Sequence, residues 1–188
     1  MQSQSDENST ASALNAKGIR MTDSGRYPEA IATFTEALGM SPDMPGILFN
    51  RAEAERLSGD FEGARRDLIE ALRLSPGEPD FIHALGLLSY EEDDFASAVD
   101  LYGSAIEQRP DFAQAWNDLG VIRFRKAEYG EARKCFEKAV AVDPDMAEAW
   151  FNLADTYEEL GLRMERAKAL EALRKANMIN DYRDESRE

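Results

Sequence analysis

Small and apolar residues recur along this chain at fixed offsets inside a window of 34 positions. In windows opening at Ala11, Pro45, Pro79 and Ala113, the twentieth residue is alanine each time: Ala30, Ala64, Ala98 and Ala132. So is the twenty-seventh: Ala37, Ala71, Ala105 and Ala139. The twenty-fourth is large and apolar (Phe34, Leu68, Tyr102, Phe136), and the seventeenth is aromatic (Tyr27, Phe61, Phe95, Tyr129). The eighth is small: Gly18, Ala52, Gly86 and Gly120, with Ala154 following in a fifth window from Ala147. Proline closes the first four windows at Pro42, Pro76, Pro110 and Pro144. Both tryptophans obey the same period, Trp116 in AWNDLG (115–120) and Trp150 in AWFNLA (149–154).

The pattern predicts two helices per window. The first runs to a polar turn marked by DSGRY, LSGDF, EDDF or KAEYG. The second starts at the aromatic and stops before the proline, which lacks the N–H to continue a helix. Pro45 and Pro79 suit the first turn of a following helix. Small residues at the crossing points let the paired helices approach closely, and the aromatics fill the remaining space. Helices this short are marginal alone, so neighbouring pairs must stabilise one another.

These residues resemble the tetratricopeptide repeat family, whose pattern is W-x2-L-G-x2-Y, then A-x3-F, then P. Here it reads Trp116, Leu119, Gly120, Ala132, Phe136 and Pro144, with Arg123 in place of the tyrosine. The fifth window supplies Trp150, Leu153, Ala154 and Tyr157. The resemblance implies an all-α, right-handed α-solenoid of five helix-turn-helix repeats, with the first helices lining a concave groove. The expected organisation is a disordered segment over 1–10, a solenoid over 11–180 (repeats 11–44, 45–78, 79–112, 113–146 and 147–180), and a flexible polar tail over 181–188. In the last repeat Ala169, Leu173 and Ala176 fit the alanine–aromatic–alanine roles only with about three extra residues after Gly161, and the proline is gone. That suits a longer capping helix. Related repeats pair an Asn-Arg dipeptide with an aspartate in the second helix. The resemblance therefore implies an ion pair between Arg51, which follows Asn50, and Asp67.

Charge narrows the partners. Lys+Arg number 22 against 37 Asp+Glu, a net charge of −15. Such a surface repels phosphate backbones and anionic lipid, which argues against nucleic acid and membranes and leaves solubility or basic protein partners as its use. Cys135 is the single cysteine, so neither an internal disulfide nor a thiolate zinc site can form within the chain. MQSQSDENST lacks an apolar core and a basic leader, so no signal peptide is expected, nor any membrane span, and the expected location is the cytoplasm. Chemistry is sparsely supplied. His83 is the sole histidine, and no phosphate loop, nucleophile elbow or H-E-x-x-H helix occurs. EEDD (91–94) reads as a solvated turn and Cys135 as a packing residue. The expectation is a protein without catalysis, metal or cofactor.

What remains is a surface. Offsets two, five, six, nine, twelve and thirteen of each window share one helical face, the face that lines the groove in the family. On it lie Phe49, Asn50 and Glu53; His83, Leu87 and Tyr90; Asn117, Val121, Phe124 and Arg125; and Phe151, Asn152 and Asp155. These are the candidate partner-binding residues. Phe49, Leu87, Tyr90, Val121, Phe124 and Phe151 form a line of apolar groups that suits a binding surface. Asn15, Asn50, Asn117 and Asn152 run beside it and could hold a peptide backbone through their amides. The alternative is that Phe49 or Phe151 packs on the next repeat and the asparagines are merely hydrophilic. His83 is either a contact or an ordinary surface histidine.

Relatives that bind the acidic C-termini of Hsp70 and Hsp90 use a carboxylate clamp of basic residues and asparagines. The corresponding basic places here carry Asn15, Asp80 and Ala84, so such a ligand is not expected. Glu148, Asp155, Glu158 and Glu159 suit a basic segment instead. The expected function is a scaffold or adaptor that binds an extended or helical segment of another protein. Its alternative is self-association, or a secretion-type chaperone, working through end or convex faces.

Overall fold

The computed structural model describes the backbone of residues 2–185 and the side chains of residues 8–177. Its described residues form helices joined by short turns. The chain divides into two compact units, Met1–Asp94 and Phe95–Glu188, the boundary falling between the two helices of the third window.

The first unit holds α1 (Gln2–Asp23), α2 (Tyr27–Met40), α3 (Pro45–Ser58), α4 (Phe61–Leu74) and α5 (Pro79–Glu91). Each packs on its successor, and α3 also touches both α1 and α5. The second unit holds α6 (Phe95–Gln108), α7 (Ala113–Arg125), α8 (Tyr129–Val142), α9 (Ala147–Glu159) and α10 (Arg163–Glu185), again packed in sequence order, with α7 touching α9.

The periodic residues are the core. Ala30, Ala64, Ala98 and Ala132 are fully buried, as are Ala37, Ala71, Ala105 and Ala139. Phe34, Leu68, Tyr102 and Phe136 are at most 2% exposed. At Gly120 a Cβ would lie 2.6 Å from the Phe136 ring, and Gly18 meets Phe34 in the same way. Only glycine lets the aromatic lie against the helix backbone there. The phenylalanine then fills the crossing, worth about 2–3 kcal/mol of burial for each ring.

The turn inside each hairpin is equally periodic. Its fifteenth residue is left-handed every time: Gly25, Gly59, Asp93, Ala127 and Gly161, with φ between 57° and 88°. Around it the helix ends by paired backbone bonds, for example Glu128 N–H to Arg123 C=O at 2.9 Å and Ala127 N–H to Phe124 C=O at 2.8 Å. This is the Schellman closure, which satisfies carbonyls that the helix leaves unpaired. Two copies use no glycine, and sequence reading alone gave no warning of strain at Asp93 and Ala127.

At both ends the helices run beyond the expected bounds. Residues 1–10 were expected to be disordered, but α1 is helical from Gln2 onward. Asn8 shows why: its C=O accepts from Ser12 Oγ at 2.9 Å, and its Oδ1 accepts from Ser41 Oγ at the end of α2 at 2.6 Å. The polar tail expected over 181–188 is likewise helical as far as Glu185, because no proline or glycine interrupts the run of good helix formers after Gly161. Residues 186–188 lie outside the described residues. In the last repeat the additional residues after Gly161 fall within α10, which starts at Arg163, the same offset as Tyr129 in its repeat. The additional residues form its exposed first turn, carrying Met164, and Ala169 and Ala176 then reach the core at 2% exposure each.

Candidate protein-docking faces

In the first unit the face is built from α1, α3 and α5. Asn50 Nδ2 donates to Asn15 Oδ1 at 2.9 Å, so the asparagines of successive first helices bind each other. The expected ion pair is present and bidentate: Arg51 Nε to Asp67 Oδ2 at 2.6 Å and Nη2 to Oδ1 at 2.8 Å, with Nη1 reaching Thr35 Oγ1 at 3.0 Å. The Asp67 hydrogen bond holds the Arg51 pKa above its ordinary value. Glu55, one turn further on, shares this site. Burial, then the Asp67 charge, pushes its carboxyl up to about 7, and its Oε2 has no hydrogen-bond partner.

Glu53 is not a free contact. Arg56 binds it at 2.6 Å and bridges on to Glu91. Phe49 stacks on Phe81 with ring centroids 5.2 Å apart, the packing alternative raised for it. His83, Leu87 and Tyr90 are half-buried on α5. Glu92, the second residue of EEDD, pairs with Arg65, and Asp93 occupies the left-handed turn position. Among the described residues no group of three or more acidic, histidine or cysteine side chains is arranged to hold a metal ion.

In the second unit the face is built from α7 and α9, with α8 behind. Asn117 requires correction: it is 0% exposed and cannot meet a partner. Its Nδ2 donates to Glu148 Oε1 at 3.2 Å and to Asp118 Oδ1 at 3.3 Å, while its Oδ1 accepts from Asn152 Nδ2 at 2.9 Å. Phe124 meets Tyr129 edge-on at 5.2 Å, and the Arg125 guanidinium lies 4.8 Å from the Phe95 ring centroid. Val121, Phe124 and Trp150 pack against the core made by Phe136, Val140, Ala149 and Leu153. Phe151 alone of the predicted apolar line is exposed, at 52%.

Val121, Phe124, Arg125, Phe136, Asn152 and Asp155 enclose a cleft of about 70 Å³. That suits one side chain rather than a cofactor, for which pockets of roughly 300–1,000 Å³ are usual. Burial, reinforced by Glu158, raises the Asp155 pKa above the ordinary carboxylate value. Cys135 is 7% exposed and its thiol is pushed up to about 11, chiefly by burial, so it packs and holds its proton.

The tryptophans acquire a role that the sequence did not disclose. Trp116 Nε1 donates to Pro110 C=O at 2.9 Å, and Trp150 Nε1 to Pro144 C=O at 2.8 Å. Each indole ties a first helix to the proline that ended the preceding one. Among the described residues no helix is long and apolar enough to cross a membrane.

Hairpins repeating at a constant interval, closed by one turn geometry and carrying a side-chain-sized cleft, define a helical-repeat interaction scaffold. Comparison with known proteins agrees. The tetratricopeptide repeat family matches residues 16–79 and 83–132, with further repeat matches at 123–161 and 147–181. The chain belongs to the tetratricopeptide repeat family. Tetratricopeptide repeat protein 36 of Mus musculus is 39% identical over 56 residues, and that of Danio rerio 37% over 55. These matches cover 30% and 29% of this chain and the same shares of the two relatives, so the chain spans about a third of their length. Among solved structures, MamA aligns with TM-score 0.72 at 21% identity, covering 88% of this chain and 96% of that one. Pseudomonas aeruginosa pilF aligns with TM-score 0.83 at 14% identity, covering 91% and 78%. At these identities the likeness is one of fold.

Proposed function

We propose that this protein is a non-catalytic adaptor whose first-helix faces dock an extended or helical segment of another protein. The observation that carries the reading is the cleft of the second unit, where half-buried Val121 and Phe124 border polar Asn152 and Asp155. Apolar groups already fixed by packing lose little entropy when a partner covers them, and nearby polar groups set register. In the first unit Leu87, Tyr90 and His83 provide the corresponding surface, with Phe49, Asn50 and Glu53 bracing it. Asn15, Asp80 and Ala84 supply no cation, which favours a ligand other than an acidic Hsp70 or Hsp90 tail.

Affinity capture from the source cell's lysate tests the reading by comparing wild type with the Tyr90→Ala/Phe124→Ala variant. A protein held by wild type and lost by the variant is expected, each truncation weakening binding by about 1–4 kcal/mol at unchanged helicity. Equal capture by both proteins would overturn it. Docking would then move to second-helix surfaces, where Ile69 is 57% exposed and self-association becomes the better account.

A further inference from the structure

The second unit's cleft has a defined chemical polarity, and hydrogen bonding imposes it. The Glu148 and Asp118 carboxylates can only accept, so Asn117 must turn its Nδ2 towards them. Asn117 Oδ1 is thereby left as an acceptor, and Asn152 must present its own Nδ2 to it. The relay runs in one direction only, from Asn152 through Asn117 to Glu148. The atom left over at the cleft is Asn152 Oδ1, an acceptor. One turn along α9, Asp155 lines the same cleft with a carboxylate, also an acceptor. The apolar walls are Val121, Phe124 and Phe136. The one cation lining the cleft, Arg125, has its guanidinium over the Phe95 ring.

We propose that this cleft is a recognition pocket for a cationic side chain, a lysine or arginine, in a basic segment of the docked protein. Its aliphatic stem lies against Val121 and Phe124 and its charged head donates to Asn152 Oδ1 and the Asp155 carboxylate. A neutral apolar side chain fills the same walls but leaves both acceptors unanswered, which costs affinity. An acidic side chain meets Asp155 with Glu158 and Glu159 beyond it, and is repelled. A cation answers both acceptors and offsets the Glu158 and Glu159 charges that, after burial, raise the Asp155 pKa.

The inference rests on the docking reading above, and its test is independent of the natural partner. Nα-acetyl-lysinamide, Nα-acetyl-argininamide and the neutral Nα-acetyl-norleucinamide, which keeps the carbon stem of lysine without its ammonium, are titrated into the full chain, following the Asn152 side-chain amide and the Val121 methyls by NMR. Saturable shifts at both positions with at least one of the cationic probes, and binding about tenfold or more weaker with norleucinamide, are expected. Asp155→Asn should abolish that preference and Asp155→Glu should retain it, both at wild-type helicity. Three results would each overturn the pocket: no saturable shift with either cation, equal response to norleucinamide, or a preference unchanged in Asp155→Asn. A captured groove partner combined with any of these would sink the pocket and spare the docking reading. A cation preference through Asp155 without groove-dependent capture would do the reverse.

Discussion

At the scale of single residues, the ion cluster inside the second hairpin shows how one pair can be sound and its neighbour frustrated. Arg51 and Asp67 satisfy each other with two short bonds, and removing either would strand a buried charge. Glu55 stands beside them with burial, then the Asp67 and Asp60 charges, raising its pKa and Arg51 and Arg66 only partly compensating. Its folded pKa of about 7 lies above its ordinary 4.5, so folding favours its protonated form. The contribution to stability is therefore complete below about pH 4.5 and is lost as pH rises through about 7. Glu55→Gln should remove that slope and leave the protein more stable than wild type at pH 8, by about 1 kcal/mol once solvent screening is allowed for. Urea unfolding at pH 5 and pH 8 measures it. A slope that persists in the variant would place the titration elsewhere.

At the scale of elements, each hairpin depends on a left-handed turn, and the copies differ in how comfortably they make it. Ala127 holds φ at 57°, a conformation that burdens any residue with a Cβ, whereas Gly25, Gly59 and Gly161 occupy it freely. Ala127→Gly should therefore stabilise the α7–α8 hairpin by about 1 kcal/mol, raising the thermal midpoint of the full chain. Glycine also loosens the unfolded chain, so the gain is the difference of two effects. A lower midpoint would show that the unfolded-state effect prevails. Helix ends were legible in the sequence wherever proline stood. They were misjudged at 1–10 and 181–185, where polar composition suggested fraying. At the first end, local and cross-helix hydrogen bonds from Asn8 support the helix; at the second, propensity alone carries the chain on.

At the scale of the whole molecule, the net charge of −15 acts at a distance that single contacts do not. A basic partner segment should be drawn to the protein, and its association rate should fall by about tenfold as salt rises from roughly 20 mM to 0.5 M, because the screening length shrinks towards a few ångströms. Stopped-flow association at several salt concentrations reads this directly. A rate indifferent to salt would point to a docking process governed by apolar contact alone, with the acidic surface serving solubility.

The sequence by itself determined the periodic part of the protein. Alanines, aromatics and prolines at 34-residue intervals specify hairpin length, crossing points and core, because each requirement is local to a helix pair and repeats with it. It also carried the Arg51–Asp67 bridge, through resemblance to related repeats. It placed the candidate docking residues on one helical face but misjudged the burial of some of them. Asn117 is the fifth residue of its window and Asn152 the sixth of the next, the same residue type at adjacent offsets of one face, yet one is sealed in and the other lines a cleft. Phe49 and Phe151 share an offset, but Phe49 finds Phe81 on the first helix of the next repeat while Phe151 stays exposed. Only the tertiary structure decides such cases. Exposure and hydrogen-bond direction depend on what neighbouring helices bring to the contact, and those residues lie 30 or more positions away, where no local pattern records them.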